Sequence, residues 1–213
     1  MSPDKARSVP EGYHSVTPFV IAKGAARFLE FMADAFDADE IARVMVEGGA
    51  IGHAETRIGD SVVMTFDSRE DWPATPAFLR LYVDDVDAVY ERALAAGGSE
   101  VTRPTEMPWV DRVARARDPL GNLWWLMTRI EDVSPEEMER RYGEKRYIDA
   151  MDYVQNAEFF PRSADGAPEE THDKSRGGSR RSRLDAVPVK ASAEADASAT
   201  RQEHLSRRLY RLP

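Results

Sequence analysis

Cysteine is absent from the 213 residues, which excludes disulfides and thiolate metal sites. No apolar run is long enough to span a bilayer, and no N-terminal apolar stretch has the form of a signal peptide. No membrane partner is therefore expected, and cytoplasm is the default compartment. Positive charge is short in the patterned part of the chain. Residues 1–140 hold 15 Lys+Arg against 26 Asp+Glu, a net of −11, whereas residues 141–213 hold 14 against 12, a net of +2. An acidic body argues against general nucleic-acid binding, whose affinity comes largely from phosphate neutralisation. Only the basic cluster at residues 174–183 keeps that idea open. A Ser-His-Asp set, a phosphate-cradling glycine loop and cysteine-based motifs are all missing.

What is present is densest at residues 109–129, W-V-D-R-V-A-R-A-R-D-P-L-G-N-L-W-W-L-M-T-R. Asp118-Pro119 fixes the start of a turn, Gly121-Asn122 tolerates a left-handed backbone, and both flanks are extended in character. The Ala-Arg alternation before the turn and the Leu-Trp-Trp-Leu run after it predict a hairpin with one charged and one apolar face. A cruder copy occurs at residues 53–66, where His53 to Arg57 and Val62 to Phe66 flank Ile58-Gly59-Asp60-Ser61.

These hairpins belong to a larger pattern over residues 14–130. The spacing predicts a strand at 16–21 and a helix at 24–36, with Ala25, Phe28, Leu29, Met32 and Phe36 on its buried face. Strands follow at 40–46, 52–57 and 61–66. After a loop with Trp72, Pro73 and Pro76, the order restarts. A strand at 78–83 leads to a helix at 86–96, capped by Asp84 or Asp85 and stopped by Gly97-Gly98. Strands at 100–103, 112–117 and 123–129 complete it. The body is thus βαβββ written twice, and a shift of 61 places Leu29-Glu30 on Tyr90-Glu91. Duplication accounts for this; two unrelated four-strand units are the alternative. Residues 1–13 read as a flexible N-terminus. Ser134-Pro135-Glu136-Glu137 is a capping box that opens a helix to about residue 160, with Gly143 as its weak point. Residues 161–213 are too poor in large apolar groups to offset their ordering entropy and read as a disordered tail.

The doubled pattern, together with H-A-E-T-R-I-G-D-S-V-V-M, L-Y-V-D-D-V-D-A-V-Y-E-R-A-L-A-A-G, W-V-D-R, D-P-L-G-N-L-W and E-D-V-S-P-E-E-M, resembles the vicinal oxygen chelate superfamily. That group contains glyoxalases, extradiol dioxygenases, fosfomycin resistance enzymes and bleomycin-binding proteins; the PhnB-like branch is the nearest in pattern. The resemblance covers about residues 14–140. It implies an α+β fold in which two βαβββ modules, about 14–70 and 76–130, curl a mixed sheet around a cleft often completed by a second subunit. Relatives usually continue W-x-D-R with Tyr-Gly and the turn with Phe-Gly-His. Here Val113-Ala114 and Leu120-Gly121-Asn122 stand instead, so an imidazole that faces the cleft elsewhere is missing.

The resemblance also implies where a metal would sit: about Thr17, within residues 62–65, at Phe78 and at Trp125. These residues do not form a divalent-metal ligand set. His14 is displaced from the expected place by three residues, which also changes its side of the strand. His53 and Glu55 share a face at i, i+2 and supply two legs of a site in the metal-binding alternative; otherwise they are a polar pair on a half-solvated strand. No cofactor is expected, with a divalent metal as the minority reading.

The ligand-binding candidates are Trp125, Trp109, Phe19, Phe78, Tyr82, Arg112 and Glu55. Adjacent Trp124 and Trp125 must point to opposite faces, and Trp125 is the better candidate for the cleft. Packing of both rings is the alternative. Arg112, beside Asp111, either holds an anionic ligand or forms a surface pair. Tyr82 and Arg80 share the polar face of their strand. The resulting expectation is a metal-free binding protein for a small molecule, acting as a homodimer; the acidic exterior favours a cationic ligand. The rivals are a metal-dependent lyase, isomerase or dioxygenase using His53 and Glu55, and an interaction protein recruiting a partner through its basic tail.

Overall fold

The computed structural model describes residues 7–159. Within them the expected doubling is present. The first module is β1 (Phe19–Ala22), α1 (Ala25–Phe36), β2 (Asp39–Met45), β3 (Ile51–Ile58) and β4 (Ser61–Asp67). The second is β5 (Phe78–Tyr82), α2 (Val86–Ala95), β6 (Ser99–Glu106), β7 (Asp111–Arg117) and β8 (Leu123–Arg129). The two helices begin at Ala25 and Val86, the spacing that the shift of 61 requires.

Each module makes a four-stranded sheet, in the orders β1-β4-β3-β2 and β5-β8-β7-β6. The β1–β4 and β5–β8 pairs are parallel and the others antiparallel, so both sheets are mixed. The first strand starts at Phe19 rather than at 16. Pro18 has no N–H to give a ladder, and its carbonyl instead accepts from Met64 N at 2.9 Å. The sixth strand runs further than its apolar pattern indicated, to Glu106, through a bulged pairing with β7.

One face of each sheet is buried against the α1/α2 layer. On that side lie Val20, Ala22, Ala54, Ile58 and Val63 from the first sheet, and Ala114, Ala116, Trp124 and Leu126 from the second. Trp124 joins the modules. Its ring lies among Phe28, Phe31 and Phe36 of α1, with centroids 6.1, 6.4 and 4.5 Å away. The turn before it holds this ring in place. Buried Asp118 accepts from Leu120 N and Asn122 N through one oxygen, and from Asn122 Nδ2 and Trp124 Nε1 through the other, at 2.8–3.1 Å. Gly121 adopts φ 96°, the left-handed conformation read from the D-P-L-G-N pattern. In the first module, Gly24 precedes α1 without a capping side chain. Asp67, at the end of β4, accepts from Gly24 N and Ala25 N instead, at 3.1 and 2.7 Å.

The single C-terminal helix expected from 134 to about 160 is two helices, α3 (Pro135–Tyr142) and α4 (Lys145–Gln155). The break follows Gly143, which ends α3 still in right-handed helical geometry, and the chain turns extended at Glu144 before α4 begins. Ser134 caps α3 by accepting from Glu137 N at 3.3 Å. Helix α4 crosses to the second sheet's other face, where Val154, Met151 and Ala150 pack on Met107, Val113, Met127, Trp109 and Trp125. Residues 161–213, expected to be a disordered tail, lie outside the described residues, as do residues 1–6 of the expected flexible N-terminus.

Candidate functional site: the open faces of the two sheets

Strand alternation sends every second side chain away from the helical layer. On the first sheet this face carries Phe19, His53, Glu55, Met64 and Phe66; on the second it carries Phe78, Arg80 and Tyr82 in the open, and Arg115, Trp125 and Met127 where α4 covers it. Three of these rings remain in solvent: Phe19 is 51%, Phe78 58% and Tyr82 59% exposed. Large apolar rings on a sheet face opposite the core are the feature that sets these faces apart from ordinary surface.

On the first sheet, Glu55 organises the polar groups. It accepts a short hydrogen bond from Tyr13 Oη, and its other oxygen lies 3.0 Å from His53 Nε2. These two hydrogen bonds, Tyr13 first and His53 second, hold the Glu55 carboxyl below the usual carboxylate range, and burial opposes them only in part. The Tyr13 phenol is pushed up by the same contact. Tyr13, placed by sequence in a flexible segment, is thus tied to β3, and Arg57 Nη1 donates to the carbonyl of neighbouring Gly12 at 3.3 Å. The rings of Phe19, His53 and Phe66 adjoin, with Phe19 centroids 6.1 Å from His53 and 5.4 Å from Phe66.

On the second sheet, Trp125 is held between two guanidinium groups. The Arg115 carbon lies 4.0 Å and the Arg80 carbon 4.5 Å from its ring centroid. Arg115 is 3% exposed; burial, with Arg80 adding like-charge repulsion, lowers its pKa to about 10. Its Nη1 donates to Val154 O at 2.5 Å, at the carbonyl end of α4. Asp111 is also buried, 3.8 Å from Arg129, and desolvation raises its carboxyl above the ordinary range. Trp109, in the β6–β7 turn, packs on the same side beneath α4.

Trp124 and Trp125 point in opposite directions, as alternation required, with Trp124 in the core and Trp125 on the open face. Phe19, Phe78, Tyr82 and Glu55 all reach the open faces. Arg112 does not. It lies on the helix side and makes a two-pronged pair with Asp87 of α2, at 2.6 and 2.7 Å. The same alternation that separates the two tryptophans separates Arg112 from Asp111. Three features escaped the sequence reading: Arg115 as a buried cation, Tyr13 as a partner of Glu55, and α4 as a cover for the second sheet. The Ala-Arg-Ala-Arg alternation carried the first; the other two depend on long-range contacts without a local signal.

The described residues do not assemble a set of metal donors. In the register, Phe19 pairs with Met64 and Arg80 with Trp125, so the middle of each parallel strand pair offers no imidazole or carboxylate. His53 and Glu55 spend their facing atoms on each other and on Tyr13. His14 is turned to the Asp60 carbonyl at 3.0 Å. Among the described residues no group of three His, Asp or Glu is arranged to hold an ion.

Comparison with known proteins agrees with this architecture. A protein of Mycobacterium bovis without assigned function is 32% identical over 136 residues, covering 59% of this chain and 90% of its own. One of Mycobacterium tuberculosis is 32% identical over 136 residues, covering 59% of this chain and 80% of its own. Among solved structures, TioX from Micromonospora sp. ML1 is 23% identical, covers 57% of this chain and 100% of its own, and superposes with a TM-score of 0.46. A PhnB protein from Bacillus cereus is 19% identical, covers 54% of this chain and 99% of its own, and has a TM-score of 0.44. A sequence profile matches residues 14–126, more than half of the chain and both modules, and on that match the protein belongs to the Glyoxalase/Bleomycin resistance protein/Dioxygenase superfamily.

Proposed function

We propose that this protein binds a small organic molecule on the open faces of its sheets, without a metal, as a homodimer of the PhnB-like kind. The observation that carries the reading is the set of half-exposed rings, Phe19, Phe78 and Tyr82, beside the sandwiched indole of Trp125. Rigid rings on a preformed surface stack against flat ligands at low entropic cost. The sheets do not pair with each other, and β1 and β5 are both free edges. A second copy facing these edges and faces would turn two open surfaces into a cleft, and a two-fold pair is the commonest such solution. The register supports the metal-free reading, because the paired positions Phe19–Met64 and Arg80–Trp125 carry apolar or cationic side chains and not the donors that electrophilic catalysis needs. Among the described residues no helix is long and apolar enough to cross a membrane, and the cytoplasm remains the compartment proposed.

The second reading, an enzyme of the same superfamily, is favoured by one arrangement. Glu55 bridges a phenol and an imidazole on an accessible face, a pattern suited to moving a proton. Screening a library of small aromatic compounds by tryptophan fluorescence separates the readings. The binding protein quenches with saturation and returns each compound intact, whereas consumption of a bound compound that stops in Glu55→Gln establishes the enzyme. The tail-recruitment alternative concerns residues outside those described and is tested by deleting 161–213.

A further inference from the structure

The charge pattern of the second open face is the reverse of the molecule's. Most other arginines find carboxylates, among them Arg43 with Glu40, Arg92 with Asp37, Arg103 with Glu100, Arg112 with Asp87, and Arg141 with Glu131 and Glu137. Arg80, Arg115 and Arg117 lie on one face and are not ion-paired with any carboxylate among the described residues. Arg80 lies over the Trp125 ring, and the other two give their hydrogen bonds to backbone carbonyls. Arg115 donates to Val154 O, and Arg117 donates to Gly121 O at 3.3 Å and, over a short distance, to Phe159 O. Arg115 Nε and the indole Nε1 of Trp125 are both buried and have no hydrogen-bond partner among the described residues.

Burying a guanidinium without a counter-charge is costly, and so is leaving its N–H unsatisfied. A structural cation would be expected to recruit one of the many acidic side chains of this body. Asp111, a buried acid on this side, lies 3.8 Å from Arg129 and acts on Arg80 only through space. The carbonyls at the end of α4, with the Phe159 ring 4.8 Å from the Arg115 guanidinium carbon, supply partial negative charge where a full one would be better placed.

We infer that the face around Trp125 is a site for a small oxyanion, a carboxylate or phosphate borne by a planar ring, with Arg80 and Arg115 as its charge partners. The inference rests on the small-molecule reading above and names the ligand's chemical class. The ring stacks beside Phe78 and Tyr82, and the anion takes the donors that the carbonyl end of α4 now engages. Val154 O, the acceptor of Arg115, thus holds the place of a ligand oxygen. Binding exchanges a neutral carbonyl acceptor for an anionic one, so that both partners of the hydrogen bond carry charge. This is the opposite of the cationic ligand that net charge alone suggested.

Four probes that share a phenyl ring test the inference on the full chain: benzoate, phenyl phosphate, neutral benzamide and cationic benzamidine, each followed by tryptophan fluorescence and melting temperature. Benzoate or phenyl phosphate is expected to bind at least about tenfold more tightly than benzamide and to weaken with added NaCl, as an electrostatic contact must. Which of the two binds more tightly identifies the oxyanion. Arg80→Ala, on an exposed side chain that leaves the core untouched, should weaken the anion at least about fivefold, and Arg80→Lys should recover part of the loss. Arg115→Met should abolish binding if it folds, and the Arg80 pair decides the matter if it does not. Binding of benzamide or benzamidine as tight as that of the anions overturns the oxyanion assignment and leaves the small-molecule reading intact. Anion binding unchanged in Arg80→Ala also overturns the assignment. No response to any of the four overturns the assignment and counts against the binding reading too.

Discussion

Arg115 stacks its guanidinium 4.0 Å from the centre of the Trp125 ring while giving a hydrogen bond to Val154 O in α4. Through that one side chain, the second sheet's open face, its candidate ligand-stacking ring and the C-terminal helix are a single packed unit. Helix α4 is thus part of the site and not an appendage to the fold.

The two adjacent tryptophans should separate cleanly in mutants. Trp125→Ala is expected to remove most of the fluorescence response to a flat ligand and to weaken binding by roughly 1–3 kcal/mol, the range for loss of one stacked ring. Trp124→Ala should lower stability by about 3–5 kcal/mol, because it empties a cavity among Phe28, Phe31 and Phe36. Titration and thermal melts of both variants check this. Equal losses of affinity and stability in the two would mean that both rings are structural.

Asp118 should matter as much as a core residue. Four hydrogen bonds converge on its buried carboxylate. Asp118→Ala leaves Leu120 N, Asn122 N and the Trp124 indole without their acceptor, at an expected cost on the order of 3 kcal/mol or more. Urea unfolding measures it; a change below about 0.5 kcal/mol would show that the turn closes without the carboxylate.

Glu55 predicts a pH signature. Its folded pKa lies below the unperturbed 4.5, so its ionised form is favoured by folding. That contribution is present in full above 4.5 and is lost as pH falls through the depressed folded value. Glu55→Gln and Tyr13→Phe should each flatten the acid limb of a melting-temperature profile and leave the neutral region nearly parallel to wild type. A wild-type acid limb in both variants would place the acid sensitivity on other carboxylates.

Protein purified without chelator should carry well under one transition metal per chain, measured by elemental analysis, and chelator should not move its melting temperature. Stoichiometric zinc, iron, manganese or nickel would refute the metal-free reading and favour a catalytic one.

Light scattering is expected to give twice the chain mass, and the dimer should survive removal of residues 161–213. A monomer at micromolar concentration would leave the cleft to be completed by some other means.

The sequence by itself determined the elements, because their information is local. Period-two runs, the Asp118–Asn122 turn, the apolar stripe of Ala25 to Phe36 and the 61-residue repeat each depend on neighbours a few positions apart or on their recurrence. Alternation was also enough to assign Trp124 and Trp125 to opposite faces. The same rule, applied to Asp111 and Arg112, would have removed Arg112 from the site in favour of Arg115. What only the tertiary structure decided are the contacts between groups distant in the chain. Tyr13 meets Glu55 across 42 residues, Arg112 finds Asp87 across 25, and Arg115 reaches Val154 across 39. Net charge pointed to a cationic ligand because it averages over the whole surface. A site responds to the few charges left unpaired beside it, and which arginines keep no carboxylate is settled only when the sheets and α4 come together.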